Sequence, residues 1–203
     1  MWAVVKKSIN STLGKHTKTI DEICELESYK NLFEYLRITK LISGDSSTDE
    51  YYRLDYNKIR IPENAYTGKD FPPRIFVNPS VRIIEKKAFE GTTGVKYIYI
   101  PPHCEIESLA FFSSSVVSFD FPNGTKIIKD QVLANCVQLE RIYIPYSVKK
   151  ISFNAFRGAA ALSRIDYDGT MSDWSLIEKA SSWDAGTGYY TVNCIDGNIT
   201  KGT

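Results

Sequence analysis

The chain has little histidine and little cysteine. Among 203 residues there are two histidines, His16 and His103. Neither has an obvious nucleophile or carboxylate partner in sequence, and both read as loop histidines. The four cysteines, Cys24, Cys104, Cys136 and Cys194, lie far apart with no CxxC pair. That spacing, with so few histidines, excludes the usual zinc sites and reads as small reduced thiols in a core. The GTTG at 91–94 is followed by no GKS or GKT, so it is a turn and not a phosphate loop. Asp166, Asp168 and Asp173 lack the full calcium-loop pattern. No catalytic residue, cofactor or metal is expected, and an enzyme is not the reading.

Charge of one sign is also missing. The net charge is +1 at pH 7, which argues against nucleic acid or an anionic membrane as the main partner. No run of 18 apolar residues exists, so no transmembrane helix is expected. The opening MWAVVKKSINSTLG lacks the apolar centre of a secretory signal. The expectation is a chain that stays in the cytosol or leaves with a larger particle or by lysis. Asn10, Asn123 and Asn198 each begin an Asn-x-Thr, read here as chance tripeptides.

What is abundant is apolar and aromatic: 43% hydrophobic residues, 13 Tyr and 10 Phe. These favour strands. They also recur. Leu139, Ile142, Ile144 and Pro145 form a template that Val95, Ile98, Ile100 and Pro101 repeat. Val116, Phe119, Phe121 and Pro122 repeat it again, Pro72, Ile75, Val77 and Pro79 do so more loosely, and Leu162, Ile165 and Tyr167 close the series. The second anchor of each pair falls at 77, 100, 121, 144 and 167, in steps of 23, 21, 23 and 23. Each unit has a second half: Ile61 with Ala65, Tyr66 and Gly68; Ile84 with Ala88, Phe89 and Gly91; Ile106 with Ala110 and Phe111; Ile128 with Val132, Leu133 and Asn135; Ile151 with Ala155, Phe156 and Gly158.

A fixed period in this range marks a leucine-rich-repeat solenoid, whose turns bury their apolar faces only against one another. The Ile-x-Ile pairs point both anchors inward and the intervening residue outward. Five such strands form a parallel sheet about 19 Å along its stack. Pro79, Pro101, Pro122 and Pro145 end the strands. The Ala-Phe halves pack behind, with Gly or Asn at the bend.

The pattern Ile-x-x-x-Ala-Phe-x-Gly-x-x-x-Leu-x-x-Ile-x-Ile-Pro-x-Ser-Val resembles the BspA-like, Treponema pallidum type, leucine-rich repeat over about residues 59–167. The tail, with Tyr167, Gly169, Trp174, Ile177, Trp183, Val192, Cys194, Asp196 and Gly197, is similar to the closing unit of such proteins, with Trp174 and Trp183 as lids. The resemblance implies a binding module of a bacterial or protist cell surface.

Residues 1–50 do not fit the period. Thr19-Ile-Asp-Glu22 is a capping-box signature ahead of an amphipathic stretch, and SGDSSTDE at 43–50 is a polar linker. The expected organisation is a helical attachment segment and linker over 1–50, repeats over 51–167 and a cap over 168–203. Lys6, Lys7, Lys15 and Lys18 read as a solvated basic arm. Residues 2–14 resemble the opening of small proteins encoded with phage tail and fibre genes. That likeness implies a virion component, docked to virion subunits through its head; the alternatives are a cell-surface adhesion module or a cytosolic scaffold.

The register also places a candidate partner face. Phe76, Tyr99, Asp120, Tyr143 and Asp166 stand between paired anchors, and Arg74, Tyr97, Ser118, Arg141 and Arg164 stand just before them. These ten should share the outer face of the sheet, where Tyr and Arg anchor protein interfaces or engage a glycan of a host surface. The other reading is an aromatic ladder that only strengthens strand pairing. The chain could also form a homo-oligomer.

Overall fold

The computed structural model describes residues 51–54 and 59–201. The expected head, with its helix start at Thr19, its lysines, His16 and Cys24, lies outside the described residues.

The repeats form a solenoid of stacked turns. Each turn lays down one strand of a main sheet: β1 (Tyr51–Leu54), β3 (Arg74–Val77), β5 (Tyr97–Tyr99), β7 (Ser118–Asp120), β9 (Arg141–Ile144) and β11 (Arg164–Tyr167). Each also lays down a short strand on a second side: β2 (Arg60–Ile61), β4 (Ile83–Ile84), β6 (Glu105–Ile106), β8 (Ile127–Ile128) and β10 (Lys150–Ile151). The closing segment adds helix α1 (Met171–Leu176), β12 (Glu178–Lys179), β13 (Thr191–Cys194) and β14 (Gly197–Thr200). The main sheet runs β1-β3-β5-β7-β9-β11-β13-β14, parallel except for the last, antiparallel pair. All five expected strands are present. Among the described residues the sheet is nonetheless eight strands long, because β1 precedes the expected five and the closing segment continues the ladder instead of only covering it.

Alternation sets what is inside. Ile75, Ile98, Phe119, Ile142, Ile165 and Val192 stack as one buried column, and Ile61, Ile84, Ile106, Ile128 and Ile151 as another. Each such side chain contributes about 1.5–3 kcal/mol by leaving water. Behind them Phe89 stacks face to face on Tyr66 and on Phe111, at 5.2 and 5.0 Å between ring centroids. At the far end Trp174 meets Trp183 and Tyr167 edge-on, and Trp183 meets Phe156. The two tryptophans therefore close the core as lids. Helix α1 is held by a capping box between Thr170 and Asp173.

The bend behind the sheet needs two left-handed residues per turn, four apart. Asn64 and Gly68, Lys87 and Gly91, Leu109 and Ser113, Gln131 and Asn135, Asn154 and Gly158, and Ser182 and Gly186 all have φ between 52° and 73°. The second of each of the first five pairs aims its N–H at the next turn, as Gly91 does to Phe112 O at 2.8 Å and Asn135 to Arg157 O at 2.7 Å. The sequence showed this bend at Gly68, Gly91, Asn135 and Gly158. Leu109 is an unsuitable residue for the task, since a left-handed conformation costs an ordinary side chain about 1–2 kcal/mol. Asn64 and Asn154 do the same job at lower strain. Leu109→Asn is therefore expected to stabilise the protein by up to about 1 kcal/mol. The check is a rise in the urea midpoint at constant slope.

Candidate functional site

The outer face of the main sheet carries two rows of side chains in strict register. One row reads Phe76, Tyr99, Asp120, Tyr143, Asp166, Asn193; the other reads Arg74, Tyr97, Ser118, Arg141, Arg164, Thr191. All ten residues picked out by the alternation share this face. Thr191 and Asn193 continue it and were not picked out, although the Val192-x-Cys194 pair carried the register that would have found them.

One expectation fails. Phe76 offers no exposed ring: it is 2% exposed, with one face covered by the Tyr99 ring at 4.3 Å and 5°. Tyr99 and Tyr143 are half-buried, leaving Tyr97, 38% exposed, as the open aromatic of the rows. The Arg74 guanidinium lies 5.7 Å from the Tyr97 ring centre, within cation–π range.

The other half of the face is a charged network centred on Asp166. Its Oδ2 accepts from Arg141 Nε at 2.7 Å, and its Oδ1 accepts from Arg164 Nε at 2.6 Å and Asn193 Nδ2 at 2.9 Å. Arg141 Nη1 also donates to Asp120 Oδ1 at 2.8 Å and Ser118 Oγ at 3.3 Å. Burial alone would raise the Asp166 carboxyl, but the bonds from Asn193, Arg164 and Arg141 outweigh it and hold it below the usual range. The Arg141 guanidinium is likewise desolvated, yet its carboxylate partners leave it more firmly protonated. Burial, with Asp168 hydrogen-bonded to it, pushes the Tyr143 hydroxyl up to about 12. Exposed ion pairs contribute little individually. Their effect here is to hold two arginines in fixed positions, which lowers the ordering cost of binding a partner.

The Asp166 carboxylate is held by Arg141 and Arg164, Asp168 is hydrogen-bonded to Tyr143, and the Asp173 carboxylate accepts from the Thr170 N–H at the helix cap. Among the described residues no group of three or more His, Cys, Asp or Glu side chains could hold a metal ion. Burial pushes the Cys104 and Cys136 thiols up to about 12, which makes them poor nucleophiles.

Stacked turns, a shared core and an open parallel-sheet face define a leucine-rich-repeat protein. Residues 59–176 match the BspA type leucine rich repeat region in six copies, and the chain belongs to that family. It is similar to a leucine rich cell surface protein from Faecalibacterium prausnitzii, with 31% identity and a TM-score of 0.57 over 66% of this chain and 36% of that one. The T. pallidum leucine rich repeat protein is 27% identical, with a TM-score of 0.50 over 57% of each chain. The pneumococcal vaccine antigen PcpA, 17% identical with a TM-score of 0.54 over 66% of this chain and 32% of that one, shares the fold. The chain thus spans from about a third to just over half the length of these structures. No curated protein sequence matches it significantly.

Proposed function

We propose that the chain is a non-enzymatic interaction module displayed at a microbial surface, binding a protein or host surface through the outer face of its main sheet. The observation that supports this most directly is the Asp120–Arg141–Asp166–Arg164 network beside the exposed Tyr97, since pinned Arg and open Tyr are the groups that anchor interfaces. Similarity to a cell surface protein at 31% identity favours the cell envelope as the setting. Membership of a phage particle is the second reading. It rests on residues 2–14, which lie outside the described residues, and no comparison adds to it.

The experiment is a titration of labelled chain onto intact cells of the source culture, with mass spectrometry of envelope and density-purified particle fractions. Saturable binding that Tyr97→Ala with Arg141→Ala weakens about 30-fold or more, a loss of about 2 kcal/mol, supports the face. Unchanged binding by a folded double variant removes the face from the interface. Stoichiometric peptides in particles, with none in the envelope, would replace the cell-surface setting with the virion.

A further inference from the structure

The main sheet ends on an open edge. β14 turns back on β13 through Ile195 and Asp196, and four consecutive residue pairs join the two strands without a bulge: Thr191 with Thr200, Val192 with Ile199, Asn193 with Asn198 and Cys194 with Gly197. The bonding phase follows from the flanking bonds. Lys201 N donates to Tyr190 O at 2.9 Å, while Thr191 N, on the other side of β13, donates to Ser163 O at 3.1 Å. In an antiparallel pair, bonded and non-bonded positions alternate. Gly197, Ile199 and Lys201 therefore turn their backbone groups towards β13, and Asn198 and Thr200 turn theirs away from it. Among the described residues nothing pairs with the N–H and C=O groups of Asn198 and Thr200.

Natural sheet edges are blunted by charge, proline or a bulge. β14, which reads Gly197-Asn198-Ile199-Thr200, has none of these. The charges that flank it are used within the chain: the Asp196 carboxylate accepts from Met171 N at 2.8 Å, and Lys201 Nζ lies 3.0 Å from Asp184. Exposed apolar surface gathers around the same strand. Tyr189, Leu176 and Ile195 are the three most exposed large apolar side chains among the described residues. Ile195 sits in the turn that opens β14. Leu176 ends helix α1, which packs against β14. Tyr189 precedes Tyr190, at the Lys201 end of the strand. Ile199 itself is only partly buried against the core.

We propose that β14 pairs antiparallel with β14 of a second copy of this chain, across a two-fold axis at Ile199. One register matches both outward residues. In it Asn198 exchanges two backbone bonds with Thr200 of the second copy, and Thr200 exchanges two with Asn198 of the second copy. Sliding the strands by two residues sets an outward residue opposite itself and leaves only two bonds within β14. The two Ile199 side chains meet at the axis, at a non-bonded position where side chains approach most closely. The edge favours its own copy because it is complementary to itself. The two-fold brings Tyr189 of one copy to the level of Ile195 of the other. It also sets the Asp196 end of one strand against the Lys201 end of the other, so like charges stay apart. Such an isologous contact closes after two subunits. The axis stands perpendicular to the sheet, so the two eight-stranded sheets join with their outer faces on one side. The pairing does not depend on what those faces bind.

The test is sedimentation equilibrium of the full chain, 23.0 kDa, from about 1 μM to about 1 mM. The mass should rise towards twice the monomer value, half-converted at about 100 μM or below. Exchange at the Asn198 and Thr200 amides of ¹⁵N-labelled chain should slow about tenfold or more as the dimer forms, while the Ile199 and Lys201 amides stay protected throughout. Asn198→Lys with Thr200→Lys places like charges directly opposite one another and should weaken association about tenfold or more. Asn198→Lys with Thr200→Glu places opposite charges there and should keep the dimer. A protected Lys201 amide shows in each variant that the hairpin is intact. A monomer at about 1 mM would overturn the proposal. Equal behaviour of the two variants, whether both associate or neither does, would overturn it too. So would protection of the Asn198 and Thr200 amides in the monomer, which would mean that another part of the same chain covers the edge.

Discussion

Phe111→Ala is expected to destabilise the protein by about 3–5 kcal/mol and to split one unfolding transition into two. Phe111 is fully buried and stacks on Phe89 of the turn before it, while its edge meets Phe119 on β7 of the turn after it. It thus joins two turns at the place where they are otherwise joined most weakly. There the main-sheet pairing of β5 with β7 is only two residues long, Tyr97 with Ser118 and Ile98 with Phe119. The second side has no ladder at all between β6 and β8. What remains is the His103 N–H donated to Asn123 O, the Lys129 bridges to Glu105 and Glu107, and the rear, where Leu109, Phe111 and Ser113 donate to Asp130, Val132 and Ala134. In a solenoid each turn is stabilised only by its neighbours, so an emptied Phe111 site leaves two blocks with little coupling. The comparison is Phe89→Ala. It removes the same ring one turn earlier, where the second-side ladder is intact, and should cost a similar amount in a single transition. Thermal melts followed by circular dichroism and by exchange at separate turns distinguish the cases. A single transition for Phe111→Ala, with a loss below about 1 kcal/mol, would show that the interruption does not weaken the stack.

How far the sequence could be read follows from which residues advertise their task. The strands were legible because Ile142-x-Ile144 and its copies state a period of two inside a period near 23. The bend glycines were legible because glycine is the usual left-handed residue. The first left-handed position of each bend was not, because Lys87, Leu109 and Gln131 carry no mark of it. Phe76 looked outward by alternation, and it does project on that side. Its burial depends on what stacks against it, which alternation does not encode. The rows of the face followed from register alone, but the pinning of Arg141 by Asp120 and Asp166 required geometry across three strands. The 21-residue step was plain in the spacing. That the second side carries no ladder between β6 and β8 became visible only once the short strands, two residues each, were placed.

Gly94→Ala is expected to detach the first described turn at a cost of about 3 kcal/mol or more, from left-handed strain and the backbone bonds it breaks. Gly94 has φ +76°, and a Cβ there would lie 2.0 Å from the backbone oxygen of Phe71 and 2.8 Å from Asp70 Oδ1. No side-chain motion relieves a clash with a backbone oxygen. The strands of chain must separate, and they are clasped at this spot: Phe71 N donates to Thr93 O at 2.9 Å, Thr93 N to Lys69 O at 3.0 Å, and Thr93 Oγ1 to Asp70 Oδ1 at 2.8 Å. Gly91 provides the contrast three residues earlier. Its φ is +64°, yet a Cβ there would meet nothing closer than 4.0 Å, so Gly91→Ala should cost only the left-handed strain of about 1–2 kcal/mol. Exchange at Tyr66 and Gly68, whose amides donate to Ala88 O and Glu90 O at 2.8 Å each, reports whether the first turn stays docked. Those amides should lose protection in Gly94→Ala while the Asn135 amide keeps it, and both should stay protected in Gly91→Ala. Equal costs for the two substitutions would mean that conformational strain alone governs this turn and that the close approach of Gly94 to Phe71 contributes nothing to holding the stack together.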